Sequence, residues 1–115
     1  MVGYPPHWQW FPERPRARYY RRQARWTLWA EDAWARYFSQ RTHPAPTVYL
    51  SAQMPIADGR TYHWGIVVSR ARWRRRPRAE RGRWLRGLLL HELLHWAGYS
   101  HNAAFRRAAQ ALGTW

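Results

Sequence analysis

Apolar residues recur at helical spacing in three stretches of this chain and alternate in two others. Between about residues 16 and 40, Tyr19, Trp26, Trp29, Ala30, Ala33, Trp34, Tyr37 and Phe38 fall along one stripe. That spacing predicts an amphipathic helix with an aromatic core face. Thr42, Pro44 and Pro46 break the pattern. Residues 47–52 then alternate, with Val48 and Leu50 on one face, and residues 62–69 form the strongest β segment. Asp58-Gly59 is a turn signal between them, so the two segments are expected to pair as an antiparallel hairpin with a wide loop. Trp84, Leu85, Leu88, Leu89, Leu93, Trp96 and Ala97 predict a second long helix over about 79–97. Asn102 can cap a final Ala-rich helix that Gly113 ends. Residues 1–15, with four prolines around Trp8, Trp10 and Phe11, read as an irregular arm docked through its aromatics. Residues 16–115 are then one α+β domain: an N-terminal helix, a short antiparallel sheet, a central helix and a closing helix. No internal repeat is evident.

The second long helix carries the chemistry. It contains His91-Glu92-Leu93-Leu94-His95, and His101 follows just past Gly98. Residues four apart share a helix face, so His91 and His95 can point at one ion. Gly98 stands where a left-handed cap would turn the chain and bring His101 back. Three neutral imidazoles, an open fourth position and a carboxylate one step aside are the needs of metal-assisted hydrolysis. Glu92 is the general base of that reading. A buried helix with two satisfied core histidines, or a closed structural zinc site, would use fewer of these features. Two further residues carry weaker signals. His63 reads first as an ordinary strand residue and only second as a substrate-facing group. Tyr99 reads first as packing and second as an oxyanion donor.

His-Glu-x-x-His-x-x-Gly-x-x-His is also the zinc signature of metzincin proteases. That family needs a methionine turn well beyond the third histidine, whereas the only methionines here are Met1 and Met54. The chain more closely resembles the small zinc metallopeptidases of the SprT-like, WLM and YgjP-like groups. Their motif is similar to H-E-L-x-H, five residues, His, three residues and an aromatic; here it runs from His91 through His95 and His101 to Phe105. The order of elements over about 15–113 resembles a SprT-like domain as well. The resemblance implies a small zincin-like fold, one Zn2+ per chain held by His91, His95 and His101, and Glu92 as base. It also implies peptidase activity on a protein or peptide substrate, in some relatives on proteins attached to DNA. Many SprT-like proteins add a cysteine-rich zinc ribbon, and this chain contains no cysteine.

Composition sets the outer limits. The chain has 115 residues, enough for one core, and 46% of them are hydrophobic, which argues against disorder. Without cysteine there is no disulfide scaffold and no thiolate metal site. No secretory signal and no membrane-length apolar run is visible, so a cytoplasmic location and no membrane partner are expected. Charge changes the picture further. Twenty basic residues, all Arg, face six acidic ones, for a net charge of +14. Codon bias in a GC-rich genome explains Arg in place of Lys but not the surplus. Arg70, Arg72, Arg74, Arg75, Arg76 and Arg78 surround Trp73, and Arg14 to Arg25 open the first helix. Arg neutralises phosphate and Trp stacks on unpaired bases, so the cluster is a candidate surface for single-stranded or distorted DNA. The bland alternative is a solvated Arg surface with its tryptophans in the core. Three functions follow: a zinc metallopeptidase, another zinc hydrolase on the same site, or a basic nucleic-acid-binding protein braced by a structural metal.

Overall fold

In a computed structural model of the chain, residues 20–39, 41, 43–51 and 57–115 are described, with only the backbone given for Tyr20 and Arg21. The expected arm at 1–15 and the first turn of the expected helix at 16–19 lie outside these residues. The elements run α1 (Tyr20–Tyr37), β1 (Val48–Ser51), β2 (Gly59–Tyr62), β3 (Gly65–Ser69), α2 (Arg70–Arg75), a single 3-10 turn (Arg78–Glu80), α3 (Arg81–Trp96) and α4 (Ala103–Leu112). The class is α+β, with four helices and one three-stranded mixed sheet. None of the described helices is long and apolar enough to cross a membrane.

The sheet departs from the expected hairpin. Its order is β1-β3-β2, with β1 parallel to β3 and β2 antiparallel to it. The segment expected as one strand, 62–69, is in fact the end of β2, a turn and β3. Tyr62 pairs with Gly65 across the two-residue turn His63-Trp64. That turn has none of the Asn-Gly or Asp-Gly chemistry that announces a hairpin. Its unusual backbone is displaced by one residue to Gly65, where φ is +154° and a Cβ would stand 2.6 Å from the Thr47 carbonyl oxygen. Once β2 occupies one side of β3, β1 can join only on the other side.

Alternation along the strands divides the interior in two. Val48, Leu50, Ile66 and Val68 face the helices and pack with Trp26, Ala30 and Trp34 of α1, five leucines of α3, and Phe105 and Ala109 of α4. Tyr49, Tyr62 and Val67 form a smaller cluster on the opposite face, covered by Trp64, whose ring stacks on Tyr62 at 4.9 Å. The α3 helix has Leu88, Leu89, Leu90, Leu93 and Leu94 all buried, so it is enclosed on more than one side. Its start is later than the expected residue 79, because 78–80 tighten into the 3-10 turn. The α4 helix begins and ends as expected: Asn102 Oδ1 accepts from the Phe105 N–H at 3.0 Å, and Gly113 takes a left-handed conformation. The short α2 helix has no counterpart among the expected elements. Ser69 closes β3 and also caps α2, accepting from the Arg72 N–H at 3.3 Å.

The two edges of the sheet differ. On β1, the N–H groups of Val48 and Leu50 point away from β3, and Thr27 and Gln23 of α1 accept them at 2.9 Å each. These two acceptors are one helical turn apart on α1, so the helix closes that edge with side chains. Strand β2 keeps its outer edge, and it lies along α3. Replacing Gln23 by Ala should leave the buried Leu50 N–H unpaired and cost about 1–3 kcal/mol. Urea denaturation of the variant measures this, and an unchanged midpoint would show that the edge closure is unimportant.

Candidate metal centre

His91 and His95 lie on one face of α3, and the chain returns after the helix to place His101 against them. The return is made at Gly98, where φ is +103°, following bonds from Gly98 N–H to the His95 carbonyl and from Tyr99 N–H to the Leu94 carbonyl. The three Nε2 atoms converge: His95 to His101 is 2.9 Å and His101 to His91 is 3.3 Å. Ligand nitrogens about 2.0–2.1 Å from a tetrahedral zinc stand roughly 3.3 Å apart, so the spacing is that of a ligand set. The three histidines thus form a cluster that can hold a metal ion.

Their outer nitrogens decide which lone pairs face inward. His91 Nδ1–H donates to the main-chain oxygen of Trp115, and His95 Nδ1–H donates to the Tyr99 carbonyl at 2.9 Å. A proton held at Nδ1 leaves a lone pair at Nε2, the form a metal binds. Burial also holds both rings in the neutral form. It lowers the His91 pKa, opposed by the Trp115 carbonyl and aided by His101; it lowers that of His95, opposed by Tyr99 and aided by His101, His91 and Arg60. Phe105, only 3% exposed, completes the support, with its centroid 4.8 Å from His91, 4.8 Å from His95 and 5.0 Å from His101.

Glu92 stands beside this cluster but outside it. Its Oε2 is 4.0 Å from His91 Nε2, too far for a shared proton. Its Oε1 accepts from the Thr61 hydroxyl of β2 at 2.9 Å, and the same hydroxyl lies 3.0 Å from the Glu92 carbonyl. Burial at 5% exposure pushes the Glu92 pKa up to about 7, against the lowering effects of Thr61 and Arg60. An open cleft of about 630 Å3 lies over these groups, walled by Arg60, Thr61, Tyr99, Ser100 and Trp115. A second hollow adjoins it along β2 and shares Thr61, Tyr62 and His95 with it; His43, His63 and Trp96 form its remaining wall. His63 therefore borders the cleft's extension. Tyr99 contributes its carbonyl to His95, while its ring packs against the core and faces Arg41 at 5.8 Å. Thr61, Trp115 and the Tyr99 carbonyl were not legible as site groups, since nothing in the residue pattern marks a hydroxyl or carbonyl donated from another element.

The arginine cluster is only partly as expected. Trp73 is 8% exposed, set edge-on to Trp26, with Arg22 at 4.5 Å and Arg81 at 4.8 Å over its ring. It is a core residue and offers no face to a base. Arg72 pairs with Asp58 at 3.3 Å, which ties α2 to the start of β2 at the cleft rim. Arg70 is half-buried, whereas Arg74, Arg75, Arg76 and Arg78 are exposed on one short stretch. No protein-family model, curated protein or solved structure matches this chain.

The buried carboxylate gives a stability test. Its folded pKa of about 7 lies above the ordinary 4.5, so the folded protein binds this proton more tightly than the unfolded chain. Ionised Glu92 thus destabilises the metal-free fold above pH 7, by roughly 3 kcal/mol once fully charged, and the penalty vanishes below about pH 4.5. Glu92→Gln keeps the acceptor for Thr61 without the charge. In the presence of chelator it should stabilise the protein by that order near pH 8 and by little near pH 4.5. A pH-independent difference would mean that the carboxyl group is not ionising in the folded interior.

Proposed function

We propose that the protein is a zinc metallopeptidase. The observation that carries this reading is the pairing of three converging imidazole nitrogens with a separate, buried carboxylate whose Oε1 is held by Thr61. A purely structural site has no use for such a carboxylate. His91, His95 and His101 would hold the ion and leave one side open to the cleft. Zinc bound there supplies Lewis acidity, which polarises a carbonyl and acidifies a water molecule. Glu92 takes the proton of the attacking water at Oε2 and returns it to the leaving amine, while Thr61 fixes Oε1. A carboxylate held in place on one oxygen, with the other directed toward the histidines, suits that double task. The outer edge of β2 runs along the cleft and can bind an extended peptide by strand addition, which favours unfolded or flexible substrates over compact ones. Acid should inactivate the enzyme, because protons compete with the metal for the imidazoles.

Metal analysis with cleavage of an unfolded protein tests this reading. The parent should bind one zinc per chain, and Glu92→Gln should keep the metal but lose at least about 10²-fold in rate. Equal cleavage by both proteins would assign the activity to something other than this site. Another hydrolytic substrate on the same residues would appear as metal binding without peptide cleavage.

The exposed Arg74, Arg75, Arg76 and Arg78 favour a second role, binding the phosphates of nucleic acid with little sequence preference. Stacking by Trp73 has no part in it. Each phosphate left without its arginine lowers the dependence of log affinity on log salt by roughly 0.7–0.9. Changing the four residues to Ser should therefore flatten a salt titration of single-stranded DNA binding by about 3 in slope. An unchanged slope would remove this surface from consideration.

A further inference from the structure

Residues 113–115 fold back across the metal helix and end beside the first histidine. Hydrogen bonds and ring contacts hold them there. The Thr114 N–H bonds to the Ala109 carbonyl at 2.9 Å, and the Thr114 hydroxyl donates to the Gly87 carbonyl of α3. The Trp115 indole lies over Gly87 and stacks on the His91 imidazole, with centroids 5.6 Å apart and planes at 27°. The fit at Gly87 is close: a Cβ there would stand 2.5 Å from Cζ3 of the indole. In the interior of a helix glycine is a poor choice. Here its missing side chain is the seat for the ring. The Trp115 carbonyl meanwhile accepts the His91 Nδ1–H.

We propose that residues 113–115 act as a clasp on the metal centre, making Trp115 a positioning residue. Its carbonyl holds His91 in the tautomer that presents Nε2 to the ion, and its indole, seated on Gly87, keeps that carbonyl in place. The inference rests on the reading of the three histidines as a metal centre. The comparison with His95 shows why a clasp is needed. The partner of His95, the Tyr99 carbonyl, lies in the turn that leaves its own helix. His91 is a turn earlier on α3, and its partner comes from 24 positions further along the chain. Without a local partner, the His91 ring would be free to carry its proton on Nε2 and to rotate. Trp115 is 54% exposed and also forms a wall of the cleft, so the clasp can be displaced without disturbing the core.

Gly87→Ala is the test, because it separates a fold effect from a clasp effect. Alanine favours the helix, so the metal-free protein should be no less heat-stable than the parent. The added methyl should nevertheless displace the indole and weaken zinc binding by roughly 10–100-fold, the usual cost of losing an outer partner of a metal-bound histidine. Zinc affinity is measured by competition with a chelating dye. The His91 Nδ1–H proton is followed by imidazole 15N NMR of the zinc-loaded protein, where it should be sharp in the parent and lost to exchange in the variant. Phenylalanine lacks the ring atoms that would meet the methyl, so Gly87→Ala combined with Trp115→Phe should restore both affinity and signal. Unchanged affinity in Gly87→Ala, or a loss that Trp115→Phe does not relieve, would overturn the clasp. A parent protein that binds no zinc would sink the metal-centre reading itself.

Discussion

The contact of Phe105 with all three imidazoles is the constraint on which the site depends. Its ring enters from the first turn of α4, while His91 and His95 stand on α3 and His101 on the turn between them. One buried side chain therefore sets the height of the metal helix, the path of the return and the docking of the closing helix. Truncating such a ring removes about 3–5 kcal/mol of packing in a typical core, a large part of the stability of a small domain. His101 Nε2 lies within 3.3 Å of the other two Nε2 atoms, and Phe105 with two main-chain oxygens holds the rings in that arrangement.

Glu92 sets the opposite balance. An ionised carboxylate buried this deeply is unfavourable, and a single hydroxyl from Thr61 does not offset the lost water. Arg60 acts on it through space and lowers its pKa, but burial prevails. The fold gives up stability at that position to keep a carboxyl group buried beside the histidines. Such strain is commonly found where chemistry occurs, although ion-pair networks can produce shifts as well. Among the described residues, the one ionisable nitrogen within 4.0 Å of the Glu92 carboxylate belongs to His91, whose ring burial keeps neutral, so the shift comes from burial and not from an ion pair.

The three longer helices and the histidine cluster were legible because each is written in local spacing. An i, i+4 pair of histidines, a glycine after the helix and an Asn cap declare their geometry within a few residues. The stripe through Trp26, Ala30, Ala33 and Trp34 declared the core face of α1 in the same way, and all four are buried. The sheet was not legible, because strand order depends on which side of β3 is taken first, a decision made by the His63-Trp64 turn and Gly65. The arginine run concealed α2, and it concealed the depth of Trp73 for a related reason. Guanidinium groups can lie over an aromatic ring and cover it, so charge around a tryptophan does not imply an exposed tryptophan.

Two of the hidden groups share one property: they are backbone. The main-chain oxygens of Tyr99 and Trp115 fix the tautomers of two of the clustered histidines, and any residue at either position would supply the same atom. Side-chain identity enters only indirectly, through whatever holds the backbone still. For Tyr99 that is the helix-ending turn, and for Trp115 it is an indole resting on a glycine. A sequence therefore displays the ligands of such a centre directly and its support only as an unexplained Gly87 within a helix and an aromatic residue far along the chain. A glycine in the interior of a metal-binding helix thus marks a place where another segment lies against it, and that segment is where the missing hydrogen-bond partner is to be sought.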